Sequence, residues 1–206
     1  MYPNPFVTWL FFIVGGFLLG SCMFSQILPK KFLGVDICAV SDDHNPGCTN
    51  VFLHCGTGWG LLCLSLDLLK GFVPVFLSFR VLNSSSLLFA LVMAAPVLGH
   101  AIAPLNHFRG GKCIATAFGA LLGLFPLTHI VFLLAGIYIV FSTVLKISPN
   151  RLRSITVFGL FGLISVVVLI HTSKYAVALG CILISAIAIW KHTRFVMTRT
   201  ADAYSE

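Results

Sequence analysis

Apolar residues fill long unbroken stretches of this chain, and polar residues gather in the short intervals between them. The first stretch runs from Phe6 to Leu28 and is interrupted only by Gly15-Gly16 and Gly20-Ser21. Small residues of this kind let membrane helices pack closely. Lys30-Lys31 closes the stretch, and a polar interval over 34–50 follows. Further apolar stretches occupy 51–77, 85–103, 113–125, 128–145, 154–170 and 175–190, with later breaks at Pro126, Ser148-Pro149-Asn150 and Thr172-Ser173. None alternates with the period of two that a barrel strand requires, so the pattern predicts helices. The expectation is an all-α integral membrane protein. It is a single polytopic domain over 1–206 with about seven transmembrane helices.

Composition agrees with the pattern. Of 206 residues, 58% are hydrophobic and only 9% charged, with a mean hydropathy of +1.02; a soluble domain carries about a quarter charged residues. In a soluble protein the net charge of +7 would suggest a nucleic-acid partner. Here the cations flank the spans, and no nucleic acid is expected. Seven spans put the termini on opposite sides. With the N-terminus outside, the inner loops and tail hold Lys30, Lys31, Arg109, Lys112, Lys146, Arg151, Arg153, Lys191, Arg194 and Arg199, while the outer loops hold Arg80 and Lys174. Cytoplasmic loops carry the excess of cations, so this orientation, with a cytoplasmic C-terminus in the inner (cytoplasmic) membrane, is the expected one. The first stretch lacks a basic n-region and a small-residue cleavage site, so no cleavable signal is read there. The seven cysteines show no metal-ligand spacing and read as reduced and structural.

Three polar groups stand out against this background. In the interval 34–50, Asn45-Pro46-Gly47 reads as a turn, with glycine able to take φ > 0, and Thr49-Asn50 stands where side-chain oxygens can cap a helix. A turn feeding a helix N-terminus suits an anion such as phosphate; a plain capped loop between helices explains the same residues. Asp67 and Lys70 lie within an apolar stretch at i, i+3, on one helix face. Ionisable residues inside a span mark function by default, the alternative being an ion pair that locks helices together. The third group is Gly99-His100 and the following loop, where Arg109 and Lys112 bracket Gly110-Gly111. Backbone N–H groups and cations there can close on one anion.

The order Gly20-Ser21, Asn45–Val51, Asp67-Leu68-Leu69-Lys70-Gly71, Gly99-His100, Arg109-Gly110-Gly111-Lys112 and Ala115-Thr116 resembles the PlsY-type acyl-phosphate:glycerol-3-phosphate acyltransferases, most specifically over about residues 20–125. The resemblance implies a seven-helix membrane enzyme without a cofactor, whose partners are acyl-phosphate, glycerol-3-phosphate and membrane lipid. The loop matching Asn45, Gly47, Thr49 and Asn50 would cradle the acyl-phosphate. Lys112 and His192 match the groups that contact the acceptor phosphate, with Asp67, Lys70, His100, Arg109, Gly110 and Gly111 as further substrate-binding candidates.

The departures are equally specific. Most members have Ser-Gly-Asn where this chain has Asp43-His44-Asn45, an arginine where it has Leu53, and asparagine where it has Phe195. Asp43, a candidate catalytic group with Lys112 and His192, puts an anion beside a site meant for phosphate. Acyl-phosphate binding is therefore better supported than the acceptor. A divergent relative with another acceptor or no activity is one alternative. A small-anion or phospholipid transporter is another; such transporters carry internal repeats, and none is evident between the halves.

Overall fold

The structure is a computed structural model; it describes the backbone of residues 5–203 and the side chains of residues 5–193. Among the described residues every regular element is helical. The first apolar stretch is two helices, α1 (Pro5–Ser21) and α2 (Phe24–Leu33), meeting at a bend of 43°. A short α3 (Ile37–Val40) and α4 (Cys48–Cys55) lie in and after the polar interval. The long helices α5 (Thr57–Val81) and α6 (Leu88–Ile102) follow, then α7 (Ile114–Leu122), α8 (Ile130–Ile139) with a wide π turn over Val140–Val144, α9 (Asn150–His171) and α10 (Tyr175–Ala203).

Four of the described helical segments are long and apolar enough to cross a membrane, Thr57–Val81, Leu88–Asn106, Asn150–His171 and Tyr175–Thr193; the bent α1–α2 pair makes a fifth. The other two expected spans, 113–125 and 128–145, are the short helices α7 and α8. Nine residues of α7 rise only about 14 Å, half a bilayer core. The expected span 51–77 is also divided. Residues 51–55 belong to α4, and Gly56, at φ 86°, breaks the helix before α5. That left-handed backbone is open to glycine at little cost.

Two seams of small residues set the layout. Along the first, α1 lies on α6: a side chain at Gly20 would overlap the Pro96 carbonyl, and one at Gly99 would overlap the Phe17 carbonyl. Along the second, α7 lies on α5, with Gly71 against the Thr116 carbonyl and Gly119 against the Leu68 carbonyl. Such close approach is how helices associate in lipid, where van der Waals contact replaces the hydrophobic drive. Helix α10 packs on both α6 and α9, and the central core includes Phe89, Met93, Leu121, Phe158, Phe161 and Ile184. A smaller cluster of Ile37, Val51 and Cys63 ties α3 and α4 to α5. That packing fixes the two ends of the polar loop between α3 and α4.

The break between α1 and α2 is held by the buried pair on α5. A helix that stops inside a membrane protein leaves carbonyls that need donors. Lys70 Nζ donates to the Cys22 carbonyl at 2.7 Å and lies 2.8 Å from Asp67 Oδ1, while Ser25 Oγ donates to Asp67 Oδ2 at 2.8 Å. The Lys70 and Asp67 side chains are 0% and 2% exposed. Ser21 Oγ donates to the Phe17 carbonyl at 3.0 Å and reaches the Gly99 carbonyl at 3.4 Å, joining the same break to α6.

Candidate active site

The polar loop after α3 is organised around Asp43. Its Oδ1 accepts from the Asn50 side-chain amide at 2.8 Å and from the Asn45 backbone N–H at 3.2 Å. Its Oδ2 lies 2.6 Å from Lys112 Nζ, on the loop before α7. Asn50 Nδ2 also donates to the Asn45 carbonyl at 2.8 Å, so one side chain staples both ends of the loop. Partial burial pushes the Asp43 carboxyl up, but the hydrogen bonds from Lys112 and Asn50 prevail and hold it below the usual carboxylate value.

Two expectations for this loop change. Gly47 sits at φ −109° and ψ 151°, extended backbone that any residue adopts; the positive φ belongs to His44, at 48°. What position 47 constrains is the Asn45 amide: a Cβ there would lie 2.5 Å from Asn45 Nδ2 and displace it. Thr49 and Asn50 are not caps. Helix α4 begins at Cys48 without a side-chain cap, Thr49 is exposed, and Asn50 has turned its amide onto Asp43.

On the Lys112 side, glycines again serve close approach. A side chain at Gly110 would overlap the Ala101 carbonyl, and one at Gly111 would overlap His100 Nε2. The Gly111 N–H donates to the His100 carbonyl at 3.1 Å, so that donor is spent within the fold. His100 is buried at the end of α6, and Lys191 of α10 donates to the Ala101 carbonyl at 2.8 Å. His192 is buried next to it, its Nδ1 2.8 Å from the Ala188 carbonyl, with Lys112 and Arg151 within electrostatic reach of its ring.

The structure thus joins Asp43, Asn45, Asn50 and Lys112 directly and sets His192 behind them. It places Asp67 and Lys70 at the helix break instead, with Arg109 exposed on the loop leading to Lys112. Leu53 is 74% exposed on α4. The side chains of Arg194 and Phe195 lie outside the described residues.

Two groups, Arg151 and Ser41, were not singled out by sequence reasoning. Arg151, in the first turn of α9, donates from Nε to the His192 carbonyl at 3.0 Å; in the sequence it reads only as a topology cation. Ser41 Oγ and Asn45 Oδ1 are buried in the loop without hydrogen-bond partners among the described residues. Buried polar atoms are normally satisfied, so these two are open to a partner that the fold itself does not supply. Ser41 had no local signal beyond its place in a polar interval.

Fold and site together define a class: a polytopic helical membrane protein with a cation-rich, asparagine-bearing cluster suited to phosphate chemistry. The chain belongs to the glycerol-3-phosphate acyltransferase family, whose family model matches residues 10–198. It is similar to a glycerol-3-phosphate acyltransferase of Desulfovibrio desulfuricans, 41% identical over 115 residues, which are 56% of this chain and 51% of that one. The chain therefore aligns with about half the length of that relative. With the Geotalea daltonii glycerol-3-phosphate acyltransferase the identity is 33% over 180 residues, 87% of this chain and 88% of that one. Among solved structures, PlsY, an integral membrane glycerol 3-phosphate acyltransferase crystallised in its glycerol 3-phosphate form, matches with a TM-score of 0.77 and 28% identity. That match covers 94% of this chain and 92% of PlsY.

Proposed function

We propose that the chain is a membrane acyltransferase that moves a fatty acyl group from acyl-phosphate to the 1-hydroxyl of glycerol-3-phosphate, giving lysophosphatidic acid and phosphate. The family match over residues 10–198 carries this reading. Crystal forms of PlsY with glycerol 3-phosphate and with lysophosphatidic acid support the acceptor and the product.

The chemistry suits the residues. The acceptor oxygen bonds to the acyl carbon, the acyl carbon–oxygen bond to phosphate breaks, and phosphate departs with the hydroxyl proton. An acyl-phosphate is already activated, so the protein's task is to position two phosphates and to stabilise charge. Lys112 is the cation for the acceptor phosphate, with His192 and Arg151 behind it. Asn45 Oδ1 and Ser41 Oγ are unpartnered atoms that a substrate hydroxyl can satisfy. Asp43 holds Lys112 as a substrate phosphate would, so glycerol-3-phosphate must displace or share it. By the family resemblance, most relatives carry serine at this position.

The orientation belongs to the same proposal. The cation bias puts the loop over 34–50, the Gly-Gly loop and the end of α10 on the cytoplasmic face of the inner membrane. Counting α7 and α8 as short passes gives seven in all. Donor choice is tested by giving purified protein in lipid either acyl-phosphate or acyl-coenzyme A with glycerol-3-phosphate. Lysophosphatidic acid should form from acyl-phosphate. Formation from acyl-coenzyme A alone would overturn the donor assignment.

A further inference from the structure

Beside the loop that bears Lys112 there is an open cleft of about 350 Å³, lined by Lys30 and Lys31 from the end of α2, by Asp36 and Gln26, and by His107 and Arg109. Its charge is strongly one-sided. Three permanent cations, Lys30, Lys31 and Arg109, face one carboxylate, Asp36, which leaves +2 with His107 neutral. That carboxylate is already engaged: Gln26 Nε2 donates to Oδ1 at 2.6 Å and Lys30 Nζ to Oδ2 at 3.0 Å. The floor is ordered by the same glutamine, whose Oε1 accepts the Cys38 N–H at 3.3 Å. The opposite wall is a turn closed by Asn106 Nδ2 on the Arg109 carbonyl at 2.9 Å, with His107 and Phe108 at φ 53° and 61°. Non-glycine residues held in that region cost free energy and cluster where function needs a fixed shape.

In sequence the lining residues are flanked by an exposed apolar rim: Phe32 (60% exposed) follows Lys31, Phe108 (72%) lies between His107 and Arg109, and Leu105 (60%) precedes Asn106. Exposed aromatic and aliphatic residues alternating with lysine and arginine match the headgroup level of a bilayer, where acyl chains lie on one side and phosphates on the other. A soluble anion would gain nothing from that rim.

We propose that this cleft is a docking site for the phosphate headgroup of an anionic membrane lipid, separate from the Asp43–Lys112 centre. The phosphate replaces water around Lys31 and Arg109 while the lipid's chains lie against Phe32, Leu105 and Phe108. The site would hold anionic phospholipid, the class of compound that the proposed reaction feeds, next to the enzyme. It does not require that the acceptor be glycerol-3-phosphate.

The test is native mass spectrometry of the full-length protein, delipidated in detergent and given phosphatidic acid or phosphatidylcholine with identical chains. Wild type should retain phosphatidic acid in clear preference. Lys31→Gln should weaken that retention about fivefold, the effect expected of one surface cation, and Lys31→Glu should abolish the preference. Lys146→Gln, a cation lost on another exposed loop, should leave it intact. Equal retention of both lipids overturns the proposal, as does an unchanged preference in Lys31→Glu. Loss of phosphatidic acid in Lys112→Ala but not in the Lys31 variants would place the lipid at the reaction centre and also overturn it. Displacement of the lipid by millimolar inorganic phosphate would make this a free-phosphate site and reject the lipid source. Binding is read without turnover, so failure here and failure of the acyltransferase reading are separate results.

Discussion

Asp43 and Lys112 are 69 residues apart in sequence and 2.6 Å apart in space, and the account of the acceptor turns on them. If Asp43 competes with the acceptor phosphate for Lys112, Asp43→Ser should lower the KM for glycerol-3-phosphate, and Lys112→Ala should raise it. A charged hydrogen bond is worth about 1.5–3 kcal/mol, so a ten- to hundredfold change is expected for Lys112→Ala, with kcat moving less. Steady-state kinetics over acceptor concentration measures both, and an unchanged KM in Asp43→Ser would remove the competition. The carboxyl is held below its usual value, so the pair contributes to stability at neutral pH. That contribution is full above the ordinary carboxylate value and is lost progressively as pH falls from there through the lowered one. At Gly47 the added side chain meets the Asn45 amide rather than backbone. Gly47→Val should therefore displace that amide and lower activity by about five- to a hundredfold, in line with about 1–3 kcal/mol for overpacking. Shortening Asn45 to Ser in the same chain should then recover expression and folding but not full activity. Full activity of Gly47→Val alone would show the loop to be a plain connection.

At the scale of elements, what was legible was whatever followed from local pattern. Helix class, the apolar stretches and the shared face of Asp67 and Lys70 came from spacing, and the 2.8 Å pair confirms that partnership. What was not legible depends on partners far along the chain. The bend after Ser21 exists because Lys70 and Ser25 satisfy groups at a break that the apolar run over 6–28 conceals. The division at Gly56 did have a signal, Gly56-Thr57-Gly58, which the surrounding hydrophobicity outweighed. Arg151 was hidden for the opposite reason, since a cation beside a span is usually a topology marker. Lys70→Met would strand the Asp67 charge and the Cys22 carbonyl. Breaking a buried pair from one side costs about 3–5 kcal/mol, so thermal unfolding in detergent should drop markedly. The double variant Asp67→Asn, Lys70→Met should regain part of that loss and some activity. If it folds like wild type yet has no activity at all, the pair takes part in the chemistry rather than in holding the break.

For the whole molecule, the two loops and the ends of α9 and α10 must share one side of the membrane if they are to form one site. In a background without the seven native cysteines, a cysteine at position 83 should label from outside intact cells. One at position 42 should label only after permeabilisation. The reverse pattern would turn the site outward, away from any cytoplasmic pool of acyl-phosphate. The most direct measurement of the central claim is product formation by the wild-type protein in proteoliposomes supplied with acyl-phosphate and glycerol-3-phosphate. The account predicts lysophosphatidic acid and phosphate in equal amounts, both dependent on glycerol-3-phosphate. Phosphate release that ignores the acceptor, or no lysophosphatidic acid from folded, membrane-inserted protein, would contradict it.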